Sequence, residues 1–480
     1  MPDESASQPN RPQLCRVAAG RGSGLLFVAT LQEYDRRSKL GMWARWNPQR
    51  EPTMRRRDFL AGAGAVGLAA PGLVSAAVLG ANERLNIGVI GVGGRGAGDL
   101  AAVAGENIVA LCDVDSGRLA AAAKRHARAK TYADYRRMLD RSDLDAVVVA
   151  TPDHHHAVAT MRALRRGLHV YCEKPLTHTV HEARVLAKEA DKRKVATQMG
   201  TQNHQHPGYL RLVELLETEA VGAIREAHII TDRPGRWWPQ GVAVPTDRPK
   251  IPSTLSWDLW LGPAAKREYH PAFVPFRWRG WWDFGCGAIG DMAIHLMDPT
   301  FWGLKLGGKV RVSSMGPRPQ SHSGPTWMIT KFEFGQRGKR APVDVFWYEG
   351  VARPPEPVAR ELPMNGSLFI GEKGRIACAH GGAPQLLPVE QFKDFKPPGP
   401  YLPASPGHHQ QWITACKTGS PTGSNFGYAG PFTEIVLLGN VAYRVGETIE
   451  YDPKKLKVTN NTAANDLLSK DYRKGWGLSE

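Results

Sequence analysis

The chain has 480 residues, of which 42% are hydrophobic and 22% charged, and this composition excludes an intrinsically disordered protein. Its formal net charge is +16, and +6 of that excess falls in residues 1–57, where 11 Lys and Arg accompany 5 Asp and Glu. Because the remaining +10 is spread along the chain and forms no basic block, we expect a surface that favours anionic small ligands, and no nucleic-acid partner.

The first recognisable element is an export signal that lies inside the sequence. Residues 54–76 read MRRRDFLAGAGAVGLAAPGLVSA, a charged start followed by a glycine-diluted apolar run and a small-residue ending. The paired arginines before Asp-Phe-Leu match a twin-arginine signal. A retained anchor is the alternative. However, a stable span needs roughly twenty apolar residues, and this run is short, glycine-rich and broken by Pro71.

The position of this signal leaves residues 1–53 upstream of it, and these residues show no helical or strand period. We interpret them as a mis-called or disordered leader and take Met54 as the true start. The signal at 54–76 predicts a protein that uses the twin-arginine export machinery, has no stable membrane span, and acts in the periplasm or is otherwise exported.

From Leu85 onwards, short apolar segments alternate with helix-length segments. The apolar segments are LNIGVIGV, NIVALCDVD, DAVVVAT, GLHVYC and KVATQMG, and the stretches between them include SGRLAAAAKRHARAK and HAVATMRALRRG. Strands separated by helices are typical of βαβ units around a buried parallel sheet. The sequence therefore predicts an α/β fold whose N-terminal part, residues 85–205, is a Rossmann domain with a doubly wound parallel sheet.

The first apolar segment leads directly into a glycine-rich loop, GVGGRGAG. Gly91, Gly93 and Gly96 form G-x-G-x-x-G between a predicted strand and a predicted helix, the context in which this motif binds a dinucleotide. Asp113 ends the next strand, where a carboxylate binds the ribose 2′-hydroxyl, so we predict NAD, with NADP less favoured. Arg95 keeps NADP open. The further alternative is a glycine-rich turn without a nucleotide.

Two later loops extend this pattern. ATPDHHHA follows the third apolar segment, and YCEKPLTHT follows the fourth. Together with the glycine-rich loop they resemble the glucose–fructose oxidoreductase/inositol dehydrogenase family, Gfo/Idh/MocA. The most specific mark is the E-K-P triplet at Glu173–Pro175, and the resemblance extends from Leu85 to the C-terminus, including the T-P-x-x-x-H run at 151–156.

The resemblance implies an NAD-dependent oxidoreductase whose E-K-P lysine, Lys174, lies between the nicotinamide and the substrate hydroxyl. Both loops leave the carboxyl ends of parallel strands, where α/β proteins bind ligands, and a lysine there can stabilise an alkoxide. An exposed surface lysine is the alternative. The predicted cofactor-binding residues are Gly91, Gly93, Gly94, Arg95, Gly96, Asp113, Thr151, Pro152, His156, Glu173, Lys174 and Gln202.

Three consecutive histidines, His154–His156, raise the question of a metal site. Consecutive residues do not easily converge on one ion, and no carboxylate at ligand spacing accompanies them. The resemblance calls for no metal either. We therefore predict no metal site.

Beyond His206 the pattern becomes β-rich. KVRVSSMGP, TWMITKFEFG, PVDVFWYEG and SLFIGEKGRIACA are separated by turn-like breaks. We predict that residues 206–480 form a substrate-binding α+β domain with a large, mostly antiparallel sheet. This sheet would supply one wall of a cleft against the first domain.

The segment GCGAIGDMAIHLMD carries the predicted catalytic pair. Asp291 and His295 are four residues apart and share one face if the segment is helical. The resemblance implies that the histidine accepts a proton and that the aspartate lies beside the substrate, and a pKa near the ordinary histidine value of about 6.5 suits that role. A capping aspartate and an ordinary core histidine are the alternative.

Tryptophan is concentrated in the same part of the chain, with eight of the 14 between Trp237 and Trp302. Aromatic faces suit sugar rings, but they also fill cores and subunit interfaces. We expect one or two of them in the substrate pocket.

These features predict an exported NAD-dependent oxidoreductase that acts on a hydroxyl of a sugar, cyclitol or glycoside. His295 would take the hydroxyl proton, Lys174 would stabilise the oxygen and Asp291 would orient them. Because no free NAD pool is expected outside the cytoplasm, we predict a tightly held, recycled cofactor. The alternatives are an NAD-dependent glycosidase that oxidises its substrate transiently and a non-catalytic sugar-binding protein that retains NAD. A homo-oligomer, dimer or tetramer, is also expected.

Overall fold

The computed structural model describes residues 84–479, so the predicted leader and export signal lie outside the described residues. The first sheet has six parallel strands in the order β3-β2-β1-β4-β5-β6, the order of a Rossmann fold. Its strands, β1 to β6, are Asn86–Ile90, Asn107–Cys112, Lys130–Tyr132, Ala146–Val149, His169–Cys172 and Thr197–Met199.

Five helices connect or flank these strands. They are α1 to α5, at Arg95–Ala102, Ser116–Arg125, Tyr135–Leu139, Asp153–Arg165 and Val180–Arg193. Local sequence fixes several of their starts: the Asp115 side chain caps α2, and Thr179 and Glu182 form a capping box on α5. The predicted doubly wound parallel sheet is confirmed, and the structure adds β3, a three-residue edge strand too short to show a period.

The second sheet has nine strands in the order β13-β12-β11-β7-β10-β9-β8-β14-β15. Its strands, β7 to β15, are Ile224–Thr231, Val310–Met315, Met328–Phe334, Val343–Glu349, Gly366–Gly371, Arg375–Ala379, Gln385–Leu387, Ile449–Asp452 and Lys457–Val458. Only β7 and β10 pair in parallel, and the other neighbours are antiparallel. The predicted α+β domain with a mostly antiparallel sheet is therefore confirmed.

Among the helices of the second part, α13 packs on that sheet and ties it to the first domain. Helices α6 to α14 are Pro207–Glu217, Trp257–Leu261, Ile294–Leu296, Asp298–Gly303, Val358–Glu361, Val389–Phe392, His408–Thr418, Phe426–Val445 and Thr462–Asp466. The 20-residue α13 is almost wholly buried because it packs against both α5 and the antiparallel sheet. Trp412 on α12 joins the hydrophobic core beneath the parallel sheet. The C-terminal part thus returns to the first domain, and the boundary at 205/206 stays a prediction.

Residues 252–284 form a separate layer, which we call the roof. Trp257, Trp260, Phe273, Trp281 and other aromatic residues form a hydrophobic cluster of their own there. This layer lies over the carboxyl end of the parallel sheet, where residues 254–256 pair with residues 114–116. Within residues 84–479, no helix combines the length and the apolar character that crossing a membrane requires.

Candidate active site

A cavity of about 810 Å³ opens between the carboxyl ends of the parallel strands, the roof and the second domain. All the predicted site residues except Gly96 and His156 line it. The fold therefore brings together residues that are as far apart in sequence as Gly91 and His295.

The glycine-rich loop forms one end of this cavity. Gly91 has φ +84°, and a Cβ there would lie 2.5 Å from the Ala150 carbonyl oxygen, so only glycine fits. A Cβ at Gly94 would meet nothing within 4 Å, because the residue faces the open cavity, and no side chain caps the first turn of α1. A dinucleotide pyrophosphate fits this open helix N-terminus.

Gly96 does not line the cavity, and its contact with the cofactor stays a prediction. A Cβ at this position would approach the Gly91 carbonyl oxygen to 1.9 Å. The glycine is therefore required for the close packing of α1 on the loop.

Asp113 directly follows β2 and lies beside the loop. Its carboxylate accepts hydrogen bonds from the backbone N–H groups of Val92 (3.0 Å) and Asp115 (2.9 Å), which fix its orientation. Burial raises its pKa, and the nearby Arg118 opposes that rise. The remaining oxygen lone pairs are available to ribose hydroxyls. Arg118, which sequence reasoning did not single out, also lines this end.

Arg95 does not point to the ribose position. Its Nε donates to Glu173 Oε1 at 3.0 Å, and a terminal nitrogen donates to Asp99 at 2.6 Å. Gln202 donates to the same Glu173 oxygen at 2.7 Å. Arg95 thus connects the glycine-rich loop to the E-K-P loop, and its charge is paired with Glu173 and Asp99. This weakens the argument that Arg95 would favour NADP.

The three consecutive histidines hold loops in place. The imidazole of His156 contacts the carbonyl oxygens of Thr151 (2.8 Å) and Pro175 (2.7 Å) and so joins two cavity loops, and its contact with the cofactor stays a prediction. His154 and His155 both contact the Trp260 carbonyl oxygen, at 3.0 and 2.8 Å, and so fasten the roof. Among residues 84–479, no three His, Cys, Asp or Glu side chains are grouped to hold a metal.

Lys174 and Asp291 meet in the lining of the same cavity. The Lys174 ammonium donates to Asp291 Oδ1 at 2.5 Å and to the Asp291 carbonyl oxygen at 3.0 Å. Arg279, which was not predicted, donates to the same Oδ1 at 3.2 Å. Burial disfavours the charge of Asp291, but Lys174 and Arg279 outweigh burial and hold its pKa well below its ordinary value. Asp291 is thus a permanent carboxylate that positions the ammonium group.

His295 lies beside this ion pair and lines the cavity. Its pKa is well below the ordinary histidine value, because the ring is buried and the Lys174 cation is close, so the expected pKa near 6.5 is wrong. Its Nδ1 has no hydrogen-bond partner among the described residues. The ring is therefore neutral near pH 7 and has an unoccupied ring nitrogen, while the same low pKa makes it a weak base in the absence of a bound ligand.

The segment that carries this pair is helical but is not a regular α-helix, which was the condition for placing both residues on one face. Residues Ile289–Ala293 form a π-helical turn, and His295 lies in the short α8 that follows. A π-turn inserts an extra residue into the helix, and such insertions are frequent at functional sites. The hydrophobic periodicity of such a short segment does not reveal a π-helical turn.

Four of the clustered tryptophans line the cavity, namely Trp237, Trp238, Trp260 and Trp278. The expectation of one or two in the substrate pocket stays a prediction, because this cavity also includes the glycine-rich loop. Trp476, near the C-terminus, also lines the cavity and stacks on Arg136 at 3.8 Å. Because Trp476 is so far from the other cavity residues in the sequence, nothing in the sequence indicated that it lines the cavity.

Comparison with known proteins agrees with this geometry. Residues 85–201 match the oxidoreductase family domain described as an NAD-binding Rossmann fold, and residues 237–334 match the C-terminal alpha/beta domain of the same family. Inositol 2-dehydrogenase 2 of Saccharopolyspora erythraea is 35% identical over 152 residues, which are 30% of this chain and 44% of that protein. The chain thus spans less than half of the length of this curated relative.

Two further similarities cover more of the chain. Inositol 2-dehydrogenase 3 of the same organism is 25% identical over 304 residues, 59% of this chain and 77% of that protein. The crystal structure of the WlbA dehydrogenase of Chromobacterium violaceum, in complex with NADH and UDP-GlcNAcA, superposes with a TM-score of 0.54 at 18% identity, covering 78% of this chain and 97% of that one. At this identity the structural similarity establishes the fold alone.

Proposed function

We propose that this chain, which belongs to the Gfo/Idh/MocA oxidoreductase family, oxidises a hydroxyl-bearing carbon of a carbohydrate or cyclitol with NAD as the hydride acceptor. The observation that carries the proposal is the grouping of Lys174, Asp291 and a neutral His295 in the cavity that the glycine-rich loop opens. A proton acceptor and an oxyanion stabiliser are the groups that removal of a hydride from an alcohol requires.

The residues divide the reaction between them. The substrate hydroxyl loses its proton to the neutral His295 ring. Lys174, held by Asp291, stabilises the negative charge that develops on the oxygen as the C–H and O–H bonds break and the carbonyl forms. Bound NAD⁺ supplies the acceptor for the hydride and its two electrons. The glycine-rich loop would hold the pyrophosphate and Asp113 the ribose.

The proposal includes tight retention of the cofactor, because the roof closes the cleft over Asp113. The Ser116 N–H donates to the Thr254 carbonyl at 2.8 Å, and the Ser256 N–H donates to the Val114 carbonyl at 2.9 Å. The roof is therefore attached to the residues that follow β2, and a dinucleotide beneath it leaves only when these contacts open. Export by the twin-arginine route and a homo-oligomeric state remain parts of the proposal that rest on the sequence.

The experiment has two parts and uses the full chain. First, the purified protein is dialysed and denatured, and the released nicotinamide nucleotide is quantified, with close to one per subunit expected. Second, the protein is incubated with sugars, cyclitols and aryl glycosides, and ketone products and reduced nicotinamide are measured. Oxidation by the wild-type protein and its loss in His295→Ala would support the proposal.

His126→Ala is the matched control, because His126 lies at the end of α2 and does not line the cavity. This variant should retain the activity. Release of an aglycone without accumulation of a ketone would overturn the proposal in favour of a redox glycosidase. Tight sugar binding with no chemistry in the wild-type protein would overturn it in favour of a binding protein.

A further inference from the structure

The wall of the cavity near His295 carries an excess of positive charge. Lys174, Arg233 and Arg279 line the cavity together with the Asp291 carboxylate, and Glu173, which also lines it, is already bonded to Arg95 and Gln202. Lys174 and Arg279 are both bonded to a single oxygen of Asp291. Arg233 is left without a carboxylate partner among residues 84–479, although the more distant Asp291 and Asp232 favour its charge.

Arg233 is held firmly although it is unpaired. It follows β7 by two residues, and its carbonyl oxygen accepts from the Trp237 N–H at 2.9 Å, which closes a tight turn. Its guanidinium lies 3.9 Å from the centre of the Trp237 ring. The neighbouring Asp232 is already used, since it pairs with Arg236 and accepts from Asn365 at 2.8 Å. The planar cation is therefore preorganised at the cavity wall.

The charge of Arg233 acts on the catalytic end of the cavity. It lowers the pKa of His295 and of His380, in each case together with burial and the Lys174 cation. A half-buried arginine without a counter-ion is costly, since burial lowers its own pKa. The glycine-rich loop that fits the pyrophosphate lies at the end of β1, in the other domain. The unpaired cation thus faces the substrate space.

We propose that Arg233 binds an anionic group of the substrate, so that the favoured substrate is a carbohydrate that carries a carboxylate or a phosphate. A guanidinium matches either group with two parallel hydrogen bonds, and these are stronger than bonds between neutral groups. The exposed face of Trp237 beside it suits the C–H face of the sugar ring. This inference rests on the proposed function, because it names the substrate class of the same site.

The test measures binding rather than turnover. The NAD-loaded full chain is titrated calorimetrically with matched pairs that differ in charge at one carbon: D-glucuronate against D-glucose, D-galacturonate against D-galactose, and the 6-phosphates of both hexoses. We expect the charged member to bind roughly tenfold to a hundredfold more tightly. Preference for the uronates or for the phosphates identifies which anion the site takes.

Substitution then assigns that preference to the residue. Arg233→Gln should abolish it, and Arg233→Lys should retain only part of it, because lysine lacks the planar fork. Arg225→Gln is the matched control, since Arg225 lies on β7, is half exposed, pairs with Glu372 and does not line the cavity. It should keep the full preference.

Three results would overturn the inference: equal or undetectable binding of charged and neutral members, a preference that survives in Arg233→Gln, or loss of NAD instead of sugar affinity in that variant. The proposed function fails separately. Preferential binding of charged sugars with no hydride transfer to NAD from any of them would refute the oxidoreductase proposal and leave the charge selection standing.

Discussion

Arg473 connects the C-terminal segment to the roof, and its removal should release the cofactor faster. Its guanidinium donates to Asp258 Oδ1 (2.5 Å), to the Asp258 carbonyl oxygen (2.8 Å) and to the Gly262 carbonyl oxygen (2.8 Å). A few residues further on, Trp476 stacks on Arg136 in the first domain. The segment therefore joins the roof to the Rossmann domain on the side of the cavity that holds Asp113.

The size of the effect follows from these contacts. Each of three hydrogen bonds contributes about 0.5–1.5 kcal/mol, but an exposed ion pair contributes about 0–1 kcal/mol. The Asp258 side chain is 73% exposed, so its contribution lies at the low end. Removal of Arg473 should therefore weaken the closed roof by about 2 kcal/mol, which makes release of the dinucleotide roughly thirtyfold faster.

The assay loads the full chain with NADH, adds an excess of NAD⁺ and follows the loss of bound NADH fluorescence with time. Arg473→Ala should lose it faster than the wild-type protein, with little change in the folding transition of the two sheets. Arg360→Ala is the matched control, because Arg360 makes only an exposed ion pair with Glu356, at 3.8 Å. An unchanged release rate in Arg473→Ala would refute the role that we give to the roof in retention.

Three further predictions concern charge and packing. Lys174→Met should raise the pKa of His295, since it removes the nearest cation and frees the aspartate beside the ring. An NMR titration of the His295 ring measures this pKa. An unchanged pKa would contradict the influence that we give to Lys174. Gly96→Ala should lower the melting temperature because its Cβ would lie 1.9 Å from a loop carbonyl oxygen, whereas Gly98→Ala in the same helix, whose Cβ would meet its nearest atom at 3.9 Å, should not. Burial lowers the pKa of His408 to about 3, so the unfolded ring takes up a proton near pH 6.5 and the folded ring does not. Stability should then fall by about 1 kcal/mol between pH 6.5 and 5.5, and His408→Gln should remove that part of the slope in thermal unfolding at several pH values.

The parallel sheet and the cofactor loop could be predicted because their signals are local. β4 reads AVVV and is wholly buried, so a short β-branched run is enough to identify a central strand. The glycine spacing predicts the turn because φ +84° at Gly91 excludes other residues. The Lys174–Asp291 contact required more, since the two residues are 117 positions apart and only the family resemblance placed them in one site.

The other features of the site depend on tertiary contacts, which hydrophobic periodicity in the sequence does not reveal. The roof has short helical turns and aromatic residues that pack on one another, so its sequence shows neither a helical nor a strand pattern. The unpaired state of Arg233 is a property of its surroundings, because the adjacent Asp232 would pair with it if Arg236 and Asn365 did not already do so. The net charge of the sequence indicates a preference for anionic ligands, but it does not show which residue would bind them.

The closure of the cavity is uneven, and this bears on how a recycled cofactor would work. The roof is attached over Asp113 by backbone hydrogen bonds, whereas the wall beside Arg233 carries Trp237 and Phe276, which are 51% and 40% exposed. Substrates can therefore exchange past these exposed aromatic residues while the adenosine half of the dinucleotide stays beneath the roof. Under the proposed function, an enzyme built in this way can return its cofactor to the starting state by reducing a second molecule that enters by the same route. The electron acceptor is then expected to satisfy the same unpaired guanidinium as the donor, so the two half-reactions should share one preference for anionic sugars.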